Sequence, residues 1–238
     1  MDISYENTTL PAYLLPAPGR ENAIGPTIVV GGGRDSSLVD NYFGIGVAAL
    51  RRGYHVLLHE GLGQGRLLID EALPLRHDWE KVVTPVVDAA LQIDVIDPQR
   101  LAYQPWSLGG YMAPRVAAFE PRLAALVCDP GQMSVAAKIW SGMEMLGLSD
   151  EAMTRLPELD PKDEANLMKM INGNRMLHWQ IVQRGFWTNG ATDLSSFLAE
   201  MSKWKLDADT IGQAAVPHRS LPRRATAPRR IPGCSSTP

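Results

Sequence analysis

The apolar positions of this 238-residue chain change period several times, and each change marks an element. Residues 2–15 alternate around a turn in ISYENTTLPAYLL and predict two short strands. Pro26 introduces Thr27-Ile28-Val29-Val30, a continuous apolar run closed by Gly31-Gly32-Gly33, as expected of a strand buried on both faces. Residues 37–52 carry apolar side chains at helical spacing (Leu38, Tyr42, Ile45, Ala48, Leu50), and Gly53 is the expected stop. Tyr54 to Leu58 is a second buried strand, running into Gly61-Leu62-Gly63-Gln64-Gly65. Asp78 precedes an amphipathic helix over 79–92, with Val82, Val83, Val86, Val87 and Leu91 on one face. Residues 100–104 form a third strand, 108–119 a helix that follows almost without a loop, and 123–128 a fourth strand ending at Asp129-Pro130-Gly131. Strands and helices alternating at this spacing predict an α/β fold, a mostly parallel doubly wound sheet.

After residue 131 the pattern changes. Met-rich amphipathic segments at 133–147, 150–156, 162–172, 174–185 and 192–203 contain no convincing strand and predict a helical cap. The domain reading is therefore a core over 1–131, a helical cap over 132–213, and an irregular basic tail over 214–238. Arg, Pro, Ala and Ser dominate the tail, which has too few large apolar residues to build a core and is expected to be disordered. Out-of-frame translation of a GC-rich gene gives the same composition.

Charge sharpens this division. Before residue 214 there are 18 basic and 26 acidic side chains, a net of −8; after it come five arginines and no carboxylate. The total of −3 gives no reason to expect a nucleic-acid partner. Two cysteines, Cys128 and Cys234, support neither a disulfide framework nor a cysteine metal site, and nothing in the sequence calls for a cofactor. The start lacks a basic and apolar leader, and no apolar run reaches the ~18 residues of a membrane span, so a cytoplasmic location without membrane partners is expected.

The strongest chemical signal is Gln104-Pro105-Trp106-Ser107-Leu108-Gly109-Gly110-Tyr111. A serine between strand and helix, with glycine two residues on, is a nucleophile elbow: small neighbours let its hydroxyl stand alone above the sheet edge. Serine needs an adjacent base to become a nucleophile. The Leu108 amide, at the helix N-terminus, is placed to meet a tetrahedral oxyanion. The alternative role for Ser107 is a helix cap. Pro105 stands where glycine is usual and predicts a strained or reshaped turn. Gly31-Gly32-Gly33-Arg34-Asp35 is the candidate second oxyanion turn, or else a turn without chemistry; its glycines do not give dinucleotide-loop spacing. Gly61 to Gly65 is expected at the pocket rim.

Taken together, TTLPAYL, TIVVGGGRDSS, RRGYHVLLHEGLGQG, LPLRHDWEKVVTPVVD and IDPQRLAYQPWSLGGYMAPRVAAFEPRLAALVCDPG resemble the α/β-hydrolase superfamily. Within it the similarity is to esterases and carbon–carbon hydrolases related to 2,6-dihydropseudooxynicotine hydrolase, and more loosely to acylaminoacyl-peptidase-like enzymes. It extends over roughly residues 3 to 213. The resemblance implies a helical cap, Ser107 as nucleophile, and oxyanion donors at the Leu108 amide and an amide of the Gly32, Gly33, Arg34 turn. It also implies a small ester, amide or activated C–C substrate. Members of the group continue after the cap with strands, an acid and a histidine loop that nothing in 214–238 resembles, so a truncated or frameshifted chain with its last strands missing is expected. An open sheet edge of that kind predicts pairing with a second copy of the chain.

The triad partners are less legible. Asp129, at the end of the strand after the nucleophile, is the candidate acid, with a turn-forming role as the alternative. Of the histidines, His178 lies in an apolar cap helix and His218 in the tail, while His55, His59 and His77 suit structural roles better. A catalytically impaired homologue and a small-ligand binder therefore stand beside the hydrolase reading.

Overall fold

The computed structural model of the protein describes residues 1–214 and the backbone of residues 218–220. The antiparallel strands β1 (Asp2–Tyr5) and β2 (Thr8–Leu15) open the chain. Five further strands, β3 (Gly25–Val30), β4 (His55–His59), β5 (Ile96–Tyr103), β6 (Ala125–Cys128) and β7 (His218–Ser220), complete a seven-stranded sheet in the order β1-β2-β4-β3-β5-β6-β7. From β4 onward every pairing is parallel; β2 meets β4 antiparallel.

Central strands are buried on both faces, which is why β4 shows no alternation: all five of its residues are buried. β5 begins four residues before the hydrophobic pattern suggests, because Asp97, Pro98 and Gln99 conceal its first half. Its ladder with β3 also shifts register between Gly25 and Thr27. β7 adds a strand that the polar run His218-Arg219-Ser220 does not announce, paired through Leu126 to Cys128. The remainder of the basic tail, and with it the expectations of disorder and of a shifted reading frame, lies outside the described residues.

Helices cover both faces. On one, α1 (Leu38–Asn41) continues through a π-helical turn at Tyr42–Gly46 into α2 (Val47–Leu50), packing on Val30, Val56 and Leu58. The helical spacing of 37–52 is thus right, but the π-turn within it is set by tertiary contact, since Asn41 is buried and receives a hydrogen bond from Trp106. After β4 come the short α3 (Gly65–Ile69), absent from the sequence reading, and α4 (Glu80–Ala90). On the other face α4 and α5 (Gly109–Phe119) bury Val82, Val83, Val86, Val87, Met112 and Val116, and Arg115 joins them by a bidentate pair to Glu80 at 2.6 and 2.9 Å.

The chain then turns helical: α6 (Val135–Met145), α7 (Asp150–Arg155), α8 (Pro161–Gly173) and α9 (Arg175–His178). A π-helical stretch at Trp179–Phe186 runs into α10 (Trp187–Asn189), followed by α11 (Leu194–Met201) and α12 (Ala208–Gly212). Ser134, Ser149, Asp160, Asn174, Asp193 and Asp207 each accept backbone amides at a helix start, replacing bonds that the first turn lacks. One apolar cluster runs from the sheet through α4 and α5 into these helices, with Trp204 packed on Tyr111 at 5.4 Å between ring centres.

His59, at the end of β4, is fully buried, and neither of its ring nitrogens has a partner among the described residues. Desolvation lowers its pKa from the ordinary 6.5 to about 4. Below pH 6.5 the unfolded chain takes up a proton that the folded chain refuses until about pH 4, so stability present above 6.5 is lost across that window. The loss is on the order of 3 kcal/mol. Urea titrations at pH 7 and pH 5 should show roughly 2 kcal/mol of it, and His59→Leu should flatten the difference; an equally steep dependence in that variant would exclude His59 as its source.

Candidate active site

β5 and α5 are joined by Gln104 to Leu108, and the turn places Ser107 at φ +60°, a left-handed conformation that non-glycine residues seldom adopt. The exit of β6 holds it there. The Ser107 amide donates to the Asp129 carbonyl at 2.8 Å, and the Ser107 carbonyl accepts from the Gly110 amide at 3.0 Å and from Gln132 Nε2 at 3.1 Å. Trp106 is anchored separately: its indole N–H donates to Asn41 Oδ1 at 2.8 Å and its ring lies over Gly44. Pro105 does not prevent the elbow. It is buried beneath the turn, and the clearance lies at Gly109, where a Cβ would come within 2.5 Å of the proline ring.

The glycine turn after β3 presses against this elbow. A Cβ on Gly33 would lie 2.8 Å from both the Leu108 nitrogen and Ser107 Cβ. The Gly33 amide donates to Ser36 Oγ at 3.1 Å, whereas the Leu108 and Arg34 amides have no acceptor among the described residues. Ser107, Leu108 and Arg34 line one cavity of about 800 Å³, with Gly32 and Gly33 behind its wall. The opposite wall is helical and largely apolar: Val135, Ile139, Met143, Ile181, Phe197 and Trp204. Core and helices are tied at the mouth, where Arg184 Nε meets Asp35 Oδ1 at 2.7 Å and Arg184 Nη2 donates to the Arg34 carbonyl at 3.2 Å.

The candidate triad partners are elsewhere. Asp129 adjoins the elbow through its backbone, but its side chain is exposed, has no hydrogen bond among the described residues, and is outside the cavity wall. His178 meets Asn172 Oδ1 at 2.9 Å on the cap surface. His55 is committed to the core: Nδ1 accepts from the Ala17 amide at 2.9 Å, which leaves Nε2 to donate to the Ala23 carbonyl at 2.9 Å. No histidine lines the cavity among the described residues, and the His218 side chain lies outside them. Nor do the described residues contain a cluster able to hold a metal ion, or a helix long and apolar enough to cross a membrane. Three features escaped the sequence reading: the Trp106–Asn41 bond, the Arg184–Asp35 pair, and Gln64. Only Gln64 left a trace, inside the GLGQG turn, which the structure buries instead of placing at the pocket rim.

The same arrangement of sheet and helices occurs in solved hydrolases. The structure of 2,6-dihydroxy-pseudo-oxynicotine hydrolase superposes on 92% of this chain and 50% of its own, with a TM-score of 0.67 and 21% identity. The chain has the α/β-hydrolase fold. AbyA5 superposes on 92% of this chain and 53% of its own, with a TM-score of 0.55 and 17% identity. Among curated proteins, hydrolase ffsE of Aspergillus flavipes is 30% identical over 91% of the chain and 51% of its own length. Hydrolase LUC6 of a Fusarium species is 41% identical over 54% of the chain and 32% of its own length. The chain thus spans about half the length of ffsE, and its match to LUC6 covers about a third of that protein. No protein-family profile matches it.

Proposed function

We propose that this protein is a serine hydrolase, forming an acyl-enzyme at Ser107 from a small ester, amide or activated C–C substrate. The observation that carries the reading is the left-handed Ser107 at the cavity wall beside two amides without acceptors among the described residues, those of Leu108 and Arg34. In this mechanism Ser107 Oγ attacks the substrate carbonyl carbon. The Leu108 and Arg34 amides receive the negative charge that develops on its oxygen; the bond from the carbonyl carbon to the leaving group then breaks, and the leaving group departs with the proton that the Ser107 hydroxyl gave up. Water then attacks the acyl-enzyme, giving the acid and restoring Ser107. The apolar helical wall favours an acyl portion with substantial hydrocarbon surface. The hydrolase names of the relatives support the class of reaction.

A second reading has its own observation. Because no histidine lines the cavity among the described residues, the chain can also serve as an apolar-ligand binder with little turnover. Incubation with an alkyl fluorophosphonate, digestion and mass spectrometry separate the two. The hydrolase reading expects the phosphonyl group on the peptide carrying Ser107, and a chain that binds the probe reversibly without covalent capture would count for the binder.

A further inference from the structure

Gln64 touches the cavity nowhere, yet it fixes the peptide that carries one of its two free amides. The residue is 1% exposed and stands at the start of α3, behind the glycine turn. Its Oε1 accepts the Gly61 amide at 2.9 Å, and its Nε2 donates to the Gly33 carbonyl at 2.7 Å. A trans peptide is planar, so the Gly33 carbonyl and the Arg34 N–H point in opposite directions across one rigid group. Whatever holds the carbonyl therefore aims the N–H.

The neighbouring peptides are pinned as well. Ser36 Oγ accepts the Gly33 amide at 3.1 Å, and Arg184 Nη2 reaches the Arg34 carbonyl at 3.2 Å. Of these three restraints, only Gln64 acts on the group whose N–H is free. It is also buried, where a hydrogen bond is not exchanged with water and a lost donor is costly.

We propose that Gln64 is a positioning residue for oxyanion binding, acting through the Arg34 amide; the proposal rests on the serine-hydrolase reading. The position requires a donor and an acceptor on one short side chain. An ionised glutamate would set a carboxylate oxygen against the Gly33 carbonyl, and the peptide would turn away. Methionine would fill the space and leave the Gly61 amide and the Gly33 carbonyl without their partners.

The test uses the full chain, an alkyl fluorophosphonate, and the separate constants KI for reversible binding and kinact for phosphonylation of Ser107. Deleting an oxyanion donor costs roughly 10²–10³-fold, so misdirecting one should lower kinact about 10- to 100-fold in Gln64→Glu and Gln64→Met, with KI kept within about twofold. In Gln64→Glu a protonated carboxyl can donate to the Gly33 carbonyl again, so its kinact relative to wild type should climb as pH falls; Gln64→Met should show no such recovery. A purely structural role would instead lower the melting temperature and raise KI, without that pH-dependent recovery, and would overturn the proposal. So would wild-type kinact in both variants, while labelling of Ser107 in the wild type would leave the hydrolase reading standing. A wild-type chain that is not labelled at all removes the hydrolase reading and the role of Gln64 together.

Discussion

Ser107→Ala is expected to abolish covalent capture by a fluorophosphonate and to eliminate the burst of p-nitrophenol from an activated ester. In the proposed mechanism the Ser107 hydroxyl forms the acyl-enzyme, and no cysteine, serine or threonine stands beside it in the elbow to replace it. The size of the effect on steady turnover depends on the base. With a complete triad, losing the serine costs on the order of 10⁶ in kcat; binding and oxyanion stabilisation alone give roughly 10³–10⁴ over water. Since no histidine lines the cavity among the described residues, turnover in the lower range is expected, with Ser107→Ala losing its covalent share. Ligand binding should survive, because the elbow geometry is held by backbone bonds to Asp129 and Gly110. Equal labelling of wild type and variant would end the assignment of Ser107.

Gly110→Ala should be among the most damaging single-methyl changes in the core. A Cβ there would lie 1.6 Å from the Pro130 carbonyl oxygen and 2.6 Å from its carbon. Both sides of that contact are backbone, one in the first turn of α5 and the other in the exit of β6 that holds Ser107. Alanine's helix propensity would return about 1 kcal/mol, whereas overpacking typically costs 1–3 kcal/mol and more when backbone must shift. The clash should win by about 2 kcal/mol, lowering the melting temperature by about 4–8 °C at this chain length. Gly173→Ala, at the end of α8 with nothing within 4 Å of the added methyl, is the control and should be close to neutral. Should Gly110→Ala melt with the wild type, the close crossing of α5 and the β6 exit would be refuted.

Ser107 and its elbow were readable because the motif is local: strand, serine, small residues and helix follow within ten positions. The strand runs Thr27–Val30 and His55–Leu58 were readable for a related reason, since strands buried on both faces must be apolar throughout. Asp97, Pro98 and Gln99 hid half of β5 because an exposed strand beginning has no hydrophobic signature. His218 to Ser220 hid β7 in the same way, its pairing resting on backbone groups. The candidate acid was legible only as a position: Asp129 does adjoin the elbow, but it is the carbonyl that meets Ser107, while the carboxylate is exposed. From sequence, Pro105 predicts a strained or reshaped turn, because a linear pattern does not show that the clearance lies at Gly109.

The sequence by itself determined the mostly parallel α/β sheet, the elbow and the helical segment that follows β6, all set by periodicity and glycine placement within short windows, and its resemblance pointed to the α/β-hydrolase fold. Tertiary structure decided which amides remain free to receive charge, because Ser36, Gln64 and Arg184 bind the Gly33–Arg34 turn from three separate parts of the chain. It also decided that the histidines at 55, 59 and 178 stay away from Ser107. Hydrogen-bond partners distant in sequence exist only once the sheet has brought them together, and a linear pattern does not record such meetings.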